Sequence, residues 1–354
     1  MTLLFPASVV GSMPRPQFVC DLVNGAPELP RERYEREMDA AVRYVVALQE
    51  HAGLDVVTDG EWRRRSYIGV IAELAHGFDA GFNPADGRPW TVVREKLSPA
   101  GPGFIAREAA FLRSITDRKI KIAMPAPALL GERMWEPSVS AKAYPKREDF
   151  VRDCVPVLRR EFELLVQSGA DIIQIDDPHL CLFVDPAVRS TYDDPDRLAD
   201  FAVDMVNAVV DGIKGPTMAL HLCKRAGARV RGERQHSGGY QAIVKQINRL
   251  NVDHITIEFS TPGSGNVSVL RQFREDLEIG FGCIGVTPGE VDPVEKVVER
   301  VEGALRHVDA GRITLNPDCG FAPGSAAAVD LDEVYRKLQI EVAAAAALRE
   351  RHPR

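Results

Sequence analysis

No stretch of this sequence is long and apolar enough to cross a membrane. None reaches the about 18 uninterrupted apolar residues that a transmembrane helix needs. Positive charge is in short supply as well, since acidic residues outnumber basic ones and the formal net charge is -7. "EWRRRSY" is a local basic run, but one run does not form the basic face that nucleic acids require. These absences argue against a membrane or a nucleic acid as the partner.

Cysteine is sparse for a chain of this length. The six cysteines lie far apart, at Cys20, Cys154, Cys181, Cys223, Cys283 and Cys319. Small secreted scaffolds pack their cysteines densely, so we expect free thiols in a reducing, cytoplasmic compartment. The segment "MTLLFPASVVGSMPRP" has no basic start followed by a long apolar core, so we expect no secretory signal in it.

Eight short apolar runs recur along the 354 residues. They are "ASVVGS" (7–12), "LDVVTDG" (54–60), "KIKIAMPAP" (119–127), "DIIQIDDP" (171–178), "TMALHLC" (217–223), "HITIEFS" (254–260), "EIGFGCIG" (278–285) and "ITLNPDCG" (313–320). Most are rich in Val and Ile, as buried strands are. Amphipathic stretches such as "REDFVRDCVPVLRREFELLVQSG" lie between them and are typical of helices. The alternation predicts an α/β fold, a single (β/α)8 TIM barrel formed by one domain over residues 1–354.

A doubly wound sheet is the main alternative for such an alternation. Its dinucleotide-binding form carries a Gly-rich phosphate turn after the first strand, and this sequence has none there. Residues 63–103 break the rhythm, because "HGFDAGFNPADGRPWTVVREKLSPAGPG" contains several turn signals. We expect an inserted hairpin in this region, either as a lid or as a contact in a homo-oligomer.

Polar side chains gather near the ends of the predicted strands. In a barrel of this kind the chemistry lies at the C-terminal strand ends, and alternate residues point inward. His221 and Cys223 share one face of "TMALHLC", while Asp176 and Glu258 lie near the ends of "DIIQIDDP" and "HITIEFS". Cys319 lies at the end of the eighth strand. We therefore expect these side chains to meet at one mouth of the barrel.

Four of these residues form a candidate metal site. The list is His221, Cys223, Glu258 and Cys319, which would supply one nitrogen, one oxygen and two sulfur ligands. Zinc accepts such a set in tetrahedral geometry. Taken singly, each has an ordinary interpretation: a buried His-x-Cys pair, a paired carboxylate, or a small buried thiol. Their joint position at one barrel mouth favours the metal site.

The chain resembles the catalytic barrel of cobalamin-independent methionine synthase and its relatives. That superfamily includes single-barrel archaeal-type methionine synthases and epoxyalkane:coenzyme M transferases. The motifs that carry the resemblance are "VVGSMPRP" at the start, "TDGE" (58–61), "IQIDDP" (173–178), "HLC" (221–223), "ITIEFS" (255–260) and "NPDCGF" (316–321). They cover nearly the whole chain in the right order. The resemblance implies that the family's zinc ligands fall on the same four residues.

The resemblance also implies substrate contacts at Ser12, Glu61 and Asp176, where two carboxylates hold the substrate's amino group. A site with two thiolates and a carboxylate outweighs the charge of Zn²⁺ and is a poor activator of water. It suits a substrate thiol, whose pKa of about 8.5 zinc lowers so that a thiolate forms at neutral pH. We expect this thiolate to attack the carbon of an activated alkyl donor, most simply a methyl donor. Glu258 is expected to act as the labile ligand.

The carboxylates of Glu61 and Asp176 favour homocysteine or a similar aminothiol as the acceptor. The alternative is that Asp176 and Asp177 only cap the following helix. A sulfonate acceptor such as coenzyme M would instead need basic residues. The candidates are Arg63, Arg64, Arg65, Lys224 and Arg225, all of which could equally belong to a solvated loop.

The alkyl donor is left open by the sequence. Family members carry a histidine after the seventh strand that assists a folate donor, whereas this chain has "GCIGVTPGE" there. Folate, methylcobalamin or a corrinoid protein are the donors considered. Two other functions are weighed against alkyl transfer. A metal-free barrel of the uroporphyrinogen decarboxylase type would need a basic pocket, and a binding protein with structural zinc would need a closed ligand shell.

Overall fold

Seven parallel strands form the main sheet in the part of the chain that the structure describes. The computed structural model describes residues 3–26, 28–82, 89–101, 103–224, 236–322 and 330–353. The strands are β1 (Val56–Val57), β2 (Ala75–Phe82), β3 (Pro89–Pro99), β4 (Lys119–Pro125), β5 (Ile172–Asp176), β6 (Thr217–Leu222), β7 (His254–Glu258), β8 (Glu278–Ile284) and β9 (Ile313–Pro317). The sheet order is β1-β4-β5-β6-β7-β8-β9, and every pair in it is parallel. This is the α/β architecture that the alternation of strands and helices predicted.

The two edges of this sheet are bridged by one short segment. Ala7 pairs with Leu315 of β9, and Ser8 pairs with Val56 of β1, both as isolated parallel bridges. The Ser8 N–H donates to Leu315 O at 3.1 Å, and the Val56 N–H donates to Ala7 O at 3.2 Å. The sheet therefore curls until its first and last strands flank the same dipeptide.

Helices cover the sheet in the connections between strands. They are α1 (Gln17–Gly25), α2 (Arg31–Ala52), α3 (Phe104–Ile115), α4 (Pro127–Met134), α5 (Pro137–Ser140), α6 (Arg147–Gln167), α7 (Pro178–Leu182), α8 (Pro186–Arg189), α9 (Pro195–Val210), α10 (Val244–Arg249), α11 (Val294–Leu305) and α12 (Leu331–Arg351). Of the helices that the structure describes, none has the length and apolarity needed to span a bilayer.

Local chemistry explains where the longer helices begin and end. In α2 the apolar residues Met38, Val42 and Val45 recur every three or four positions and are buried. This helix ends at Gly53, whose φ of +96° is the left-handed conformation that glycine adopts without strain. Helix α9 begins at Asp194, whose side chain accepts from the Arg197 N–H at 3.0 Å.

The region 63–103 contains a two-stranded antiparallel sheet formed by β2 and β3. The pairing shifts register beside Gly77, where φ is +110°. The sheet is attached to the helices that follow it, because Leu97 N–H donates to the hydroxyl of Tyr144 at 2.9 Å and Ser140 Oγ donates to Val93 O at 2.5 Å. Residues 83–88 lie outside the described part of this region.

A buried polar network lies among the strands near their amino-terminal ends. Lys121 Nζ donates to Val9 O at 2.7 Å, and Glu341 of α12 accepts from the Ser8 N–H at 2.9 Å. Burial lowers the pKa of Lys121 to about 8 and raises the pKa of Glu341 to about 8. His254 contacts Thr314 Oγ1 at 2.8 Å, and burial together with the charge of Lys121 lowers its pKa to about 3. We call Lys121, His254 and Glu341 the basal network.

Candidate metal and thiol site

His221 occupies the last part of β6, directly opposite Asp176 in β5. Its Nδ1 lies 3.1 Å from Asp176 Oδ1. The same carboxylate oxygen accepts from Gln174 Nε2 at 2.9 Å, and Gln174 Nε2 also donates to Val10 O at 3.0 Å. A chain of hydrogen bonds thus runs from Val10, which follows the bridging segment at residues 7–8, to the ring of His221.

The contact with Asp176 directs the other ring nitrogen of His221 toward the cysteines. A carboxylate at Nδ1 favours a proton on that nitrogen, which leaves Nε2 with a free lone pair. Nε2 is buried and has no hydrogen-bond partner among the described residues. Buried polar atoms normally have a hydrogen-bond partner, so this nitrogen is a candidate to bind a ligand. A histidine whose second nitrogen is held by a carboxylate is the usual arrangement at metal sites.

The thiols of Cys223 and Cys319 face each other across the strand ends. Their sulfur atoms lie 3.0 Å apart, well beyond the about 2.05 Å of a disulfide bond, so the two cysteines are not joined by one. The hydrogen bond between the two thiols, together with burial, raises the pKa of Cys223 well above its usual value. A cation beside the two sulfur atoms would favour their ionised form.

Cys319 is held in place by the residue before it. Asp318 Oδ1 accepts from the amide N–H groups of Phe259 at 3.1 Å and Ser260 at 3.0 Å, which follow β7. Asp318 N–H itself donates to Ile284 O at 2.9 Å. The motif "NPDCGF" therefore ties the turn after β9 to the ends of β7 and β8.

Three of the four predicted ligands form one cluster. The ligand atoms of His221, Cys223 and Cys319 all lie within 4.8 Å of one another, and all three residues are buried. We refer to them as the His-Cys-Cys cluster. One nitrogen and two sulfurs at such separations are the donors that zinc prefers.

Glu258, the fourth predicted ligand, is not a member of this group of mutually close atoms. It is the last residue of β7 and is fully buried. Its Oε1 accepts from the backbone N–H of Lys224 at 2.7 Å, and its own N–H donates to the hydroxyl of Tyr240 at 2.9 Å. The charge of Glu258 acts on the pKa values of both His221 and Cys223, so its carboxylate lies close beside the cluster.

Glu61 reaches the same end of the barrel from the turn after β1. Its φ of +59° is uncommon for a residue with a side chain. A Cβ on Gly11 would lie 2.5 Å from Glu61 Oε1, so a glycine is required where the carboxylate crosses the first segment. Burial, and to a smaller extent the charge of Asp176, raise the pKa of Glu61 to about 7, while Arg64 and Arg15 oppose the shift.

Ser12 packs against the turn that carries Cys319. A Cβ on Gly320 would lie 2.3 Å from Ser12 Oγ, and the Ala322 N–H donates to this hydroxyl at 3.3 Å. Ser12, Glu61, Arg65 and Tyr67 line one cleft. The predicted substrate contacts Ser12 and Glu61 are thus neighbours, and Asp176 is close enough to shift the pKa of Glu61.

Asp176 and its neighbour Asp177 do different things. Asp177 is the N-cap of α7, and its Oδ1 accepts from the Leu180 N–H at 2.8 Å. Asp176 instead contacts His221. The helix-cap interpretation therefore applies to Asp177 alone.

The basic candidates for a sulfonate site separate in the structure. Arg63 pairs with Asp39, and Arg64 pairs with buried Glu108 at 2.9 Å. Arg65 is exposed at the cleft. Arg225 lies outside the described residues. Two of the five candidates are therefore engaged in ion pairs with carboxylates.

Tyr67 is a site residue that the sequence analysis missed. It lines the cleft with Ser12 and Glu61. Burial raises the pKa of its hydroxyl, and the negative charges of Asp176 and Cys223 add to the shift. Nothing in "RRRSYIG" distinguishes this tyrosine from a loop residue, because its approach to the cluster depends on the path of the chain after β1.

Known proteins resemble this chain over most of its length. The family described as "Cobalamin-independent synthase, Catalytic domain" matches residues 5–347. A methionine synthase of Saccharolobus islandicus is 27% identical over 328 residues, which cover 90% of this chain and 88% of that protein. The protein YxjH of Bacillus subtilis is 30% identical over 338 residues, covering 90% and 87%. The solved structure of a B12-independent methionine synthase from a Shewanella species, in complex with selenomethionine, superposes with a TM-score of 0.79 at 22% identity and covers 98% of both chains.

Proposed function

This chain belongs to the family of catalytic domains of cobalamin-independent synthases, and from that membership we propose that it is a zinc-dependent methyltransferase acting on a thiol. The observation that carries the proposal is the buried His-Cys-Cys cluster, whose ligand atoms lie within 4.8 Å of one another. The name methionine synthase borne by relatives supports homocysteine as the thiol and methionine as the product.

Zinc fits the residues of the cluster. His221 Nε2 is a buried nitrogen that lacks a partner within the described structure, and the two thiols supply the soft donors that zinc binds. We propose His221, Cys223 and Cys319 as ligands, with Glu258 as the fourth. Zinc, when bound, supplies the positive charge that ionises a substrate thiol at neutral pH.

Glu61 and Asp176 are proposed to bind the ammonium group of an aminothiol. Glu61 is buried next to Asp176, and this burial keeps its pKa near 7. A cation between two such carboxylates favours the charged form of both. An aminothiol therefore gains binding energy that a thiol without an amino group does not. Ser12 is proposed as a further substrate contact because it lines the same cleft as Glu61.

Asp176 has a second proposed role, which is to orient His221. Its Oδ1 accepts a hydrogen bond from the Nδ1–H group, and the Nε2 lone pair is then available to a metal ion. Glu258 is proposed as the ligand that yields its place when the substrate sulfur arrives. The Lys224 amide donates to Oε1 of this carboxylate, and this contact would keep the side chain beside the cluster after the exchange.

A thiol with an anionic tail, of the coenzyme M type, is the second candidate acceptor. Arg65 and Arg15 line the cleft that holds Ser12 and Glu61, and this favours an anion there. Thiol selectivity separates the two candidates, because only the aminothiol uses the carboxylate pair. The donors proposed are those named from the sequence, which are folate, methylcobalamin or a corrinoid protein.

We also propose that the segment at residues 7–8 takes the place of the eighth strand of a (β/α)8 barrel. Its bridges to β9 and β1 support this interpretation. The single domain would then span residues 1–354. Six free cysteines support a reducing, cytoplasmic location.

X-ray absorption at the zinc edge tests the proposed function. The purified protein is measured alone and then with homocysteine, coenzyme M, cysteine and glutathione in turn. We expect the number of sulfur ligands to rise from two to three with homocysteine but not with coenzyme M at equal concentration, and cysteine and glutathione then show how far the site selects among aminothiols. A third sulfur only with coenzyme M supports the anionic acceptor. Protein that holds no zinc, or a shell that no thiol changes, contradicts the proposal.

A further inference from the structure

Lys224, the residue after Cys223, is completely buried. Its Nζ donates to Ser264 O at 2.7 Å and to Gly238 O at 2.8 Å, and it lies 4.5 Å from the centre of the Tyr240 ring. An ammonium group is retained in a protein interior only when such contacts replace its lost hydration. None of the roles proposed above for the site uses this charge.

The two carbonyls belong to loops that meet at very close range. Gly238 has a φ of +109°, and a Cβ on it would lie 2.0 Å from Val184 O. A Cβ on Gly265, which follows Ser264, would lie 2.7 Å from the Cα of Gly239. The loops thus pack backbone against backbone, and the ammonium of Lys224 bridges them. This anchoring fixes the position of the Lys224 peptide as well.

The anchored peptide contacts Glu258 directly. The Lys224 N–H donates to Glu258 Oε1 at 2.7 Å, and the Glu258 N–H donates to Tyr240 Oη at 2.9 Å. Lys224 and Tyr240 also contact each other through the cation–ring pair. The carboxylate and the backbone of Glu258 are therefore both held by this Lys-Tyr pair.

We propose that Lys224 is a positioning residue for Glu258. Its buried ammonium fixes its own peptide, and that peptide, together with Tyr240, holds the Glu258 carboxylate beside the His-Cys-Cys cluster. This inference rests on the proposed function, because it takes Glu258 as a ligand of the zinc. Residues that orient metal ligands typically change metal affinity by about 10- to 100-fold when they are replaced.

The test is a comparison of Lys224→Met with Lys337→Met in the full chain. Methionine keeps most of the buried volume but removes the ammonium. Lys337 of α12 is a matched control, because it is also buried and its Nζ donates to a loop carbonyl, Thr287 O, at 2.7 Å. Zinc affinity is measured by competition with a chromophoric chelator, and thermal unfolding is followed in parallel. We expect zinc affinity to fall about 10- to 100-fold in Lys224→Met and to stay unchanged in Lys337→Met.

Two further variants keep the inference testable if Lys224→Met does not fold. Tyr240→Phe removes the hydroxyl that accepts from Glu258 but keeps the ring, and we expect a smaller loss of zinc affinity. Glu258→Gln gives the loss expected when the carboxylate itself is removed. Zinc X-ray absorption should show fewer oxygen ligands in Lys224→Met, with both sulfurs retained, which a general loss of stability would not produce.

Wild-type zinc affinity in Tyr240→Phe and in folded Lys224→Met overturns the inference and leaves the proposed function intact. Wild-type affinity in Glu258→Gln overturns it as well, because Glu258 is then not a ligand. The proposed function fails separately, if the unmutated protein binds no zinc at all.

Discussion

Strand β7 carries a buried ionisable residue at each end, and the two ends have different surroundings. At its start, His254 contacts Thr314 Oγ1 and belongs to the basal network. At its end, Glu258 lies beside the His-Cys-Cys cluster. Both residues lie on one face of the strand, because they are four positions apart. Burial alone therefore does not identify a functional residue. The end of the strand at which the residue lies does.

The chemistry of the two ends explains the contrast. In the basal network, Lys121 and Glu341 are bonded to backbone atoms of residues 8 and 9, so they connect the first segment to β4 and α12. Around the His-Cys-Cys cluster, His221 Nε2 has no hydrogen-bond partner among the described residues, and the two thiols contact each other at 3.0 Å. TIM barrels, to which this curled parallel sheet is similar, separate stability at the amino-terminal strand ends from chemistry at the carboxyl-terminal ends in the same way.

Removing a sulfur ligand from the His-Cys-Cys cluster should have the largest effect on the site at the carboxyl-terminal strand ends. We expect Cys319→Ala to lose zinc and to lower methyl transfer by about a thousandfold, or about 4 kcal/mol of barrier. Metal analysis and a thiol-methylation assay measure both effects. Cys283→Ala is the control, since Cys283 is buried in neighbouring β8 with its thiol 3.7 Å from Asn316 O. Full zinc occupancy in Cys319→Ala would remove Cys319 from the ligand set.

Glu61→Gln separates thiol binding from metal binding. The amide cannot carry the negative charge that an ammonium group requires, so we expect homocysteine affinity to fall about 10- to 100-fold. Zinc content should not change, because Glu61 is outside the His-Cys-Cys cluster. Calorimetric titration with homocysteine measures the loss. Equal losses for homocysteine and for a thiol without an amino group would show that Glu61 does not recognise the ammonium group.

The basal network should determine part of the pH dependence of stability. Glu341 keeps its proton in the folded protein up to a pKa of about 8, against an ordinary value of 4.5. The folded state therefore binds more protons between these values, and the free energy of unfolding falls as the pH rises through this window. The slope from one such group is at most about 1.4 kcal/mol per pH unit.

Glu341→Gln should flatten that slope, because it removes the carboxyl group that titrates. The variant should still fold, since the amide oxygen can accept from the Ser8 N–H. Urea unfolding at several pH values between 5 and 8 tests this expectation, with zinc content followed as a control on the other end of the barrel. An unchanged slope in Glu341→Gln would show that another group causes the pH dependence.

The smallest effect is expected midway along β7. Thr256 lies between His254 and Glu258, and its hydroxyl is buried without a hydrogen-bond partner among the described residues. Valine has nearly the same shape and no polar atom to desolvate. We expect Thr256→Val to leave zinc affinity unchanged and to stabilise the fold by up to about 1 kcal/mol. A loss of stability in urea unfolding would mean that the hydroxyl has an unseen partner.

The grouping of the site residues at one end of the strands could be predicted from residue alternation in the sequence. The positions of His221 and Cys223 on one face of β6 follow from the period of two, and Cys319 follows from the end of the last apolar run. Because parallel strands end on the same side, these residues had to come near one another. The resemblance to the synthase family is confirmed by the family match over residues 5–347.

Contacts between loops could not be predicted in the same way. The bond from the Lys224 amide to Glu258 depends on how three loops pack, and no periodic pattern encodes that packing. The first apolar run, "ASVVGS", was expected to be a strand, but the structure shows only isolated bridges at residues 7 and 8. One of its two flanking partners, β1, has only two residues and therefore supplies few pairing positions. The different roles of Asp176 and Asp177 likewise became clear only from the structure. Asp176 is the last residue of β5 and Asp177 follows it, where the alternation of the strand no longer applies.

The hydrogen bond between Ser8 and Glu341 has a consequence for the way the protein is made. It joins residues that are 333 positions apart. A ribosome delivers the chain from its amino terminus at about 5 to 20 residues per second, so the first segment waits many seconds for its partner. Cys319 emerges 22 residues before Glu341, and the His-Cys-Cys cluster cannot be completed before it. The newly made chain must therefore keep an open sheet edge and reduced thiols until these residues have been made.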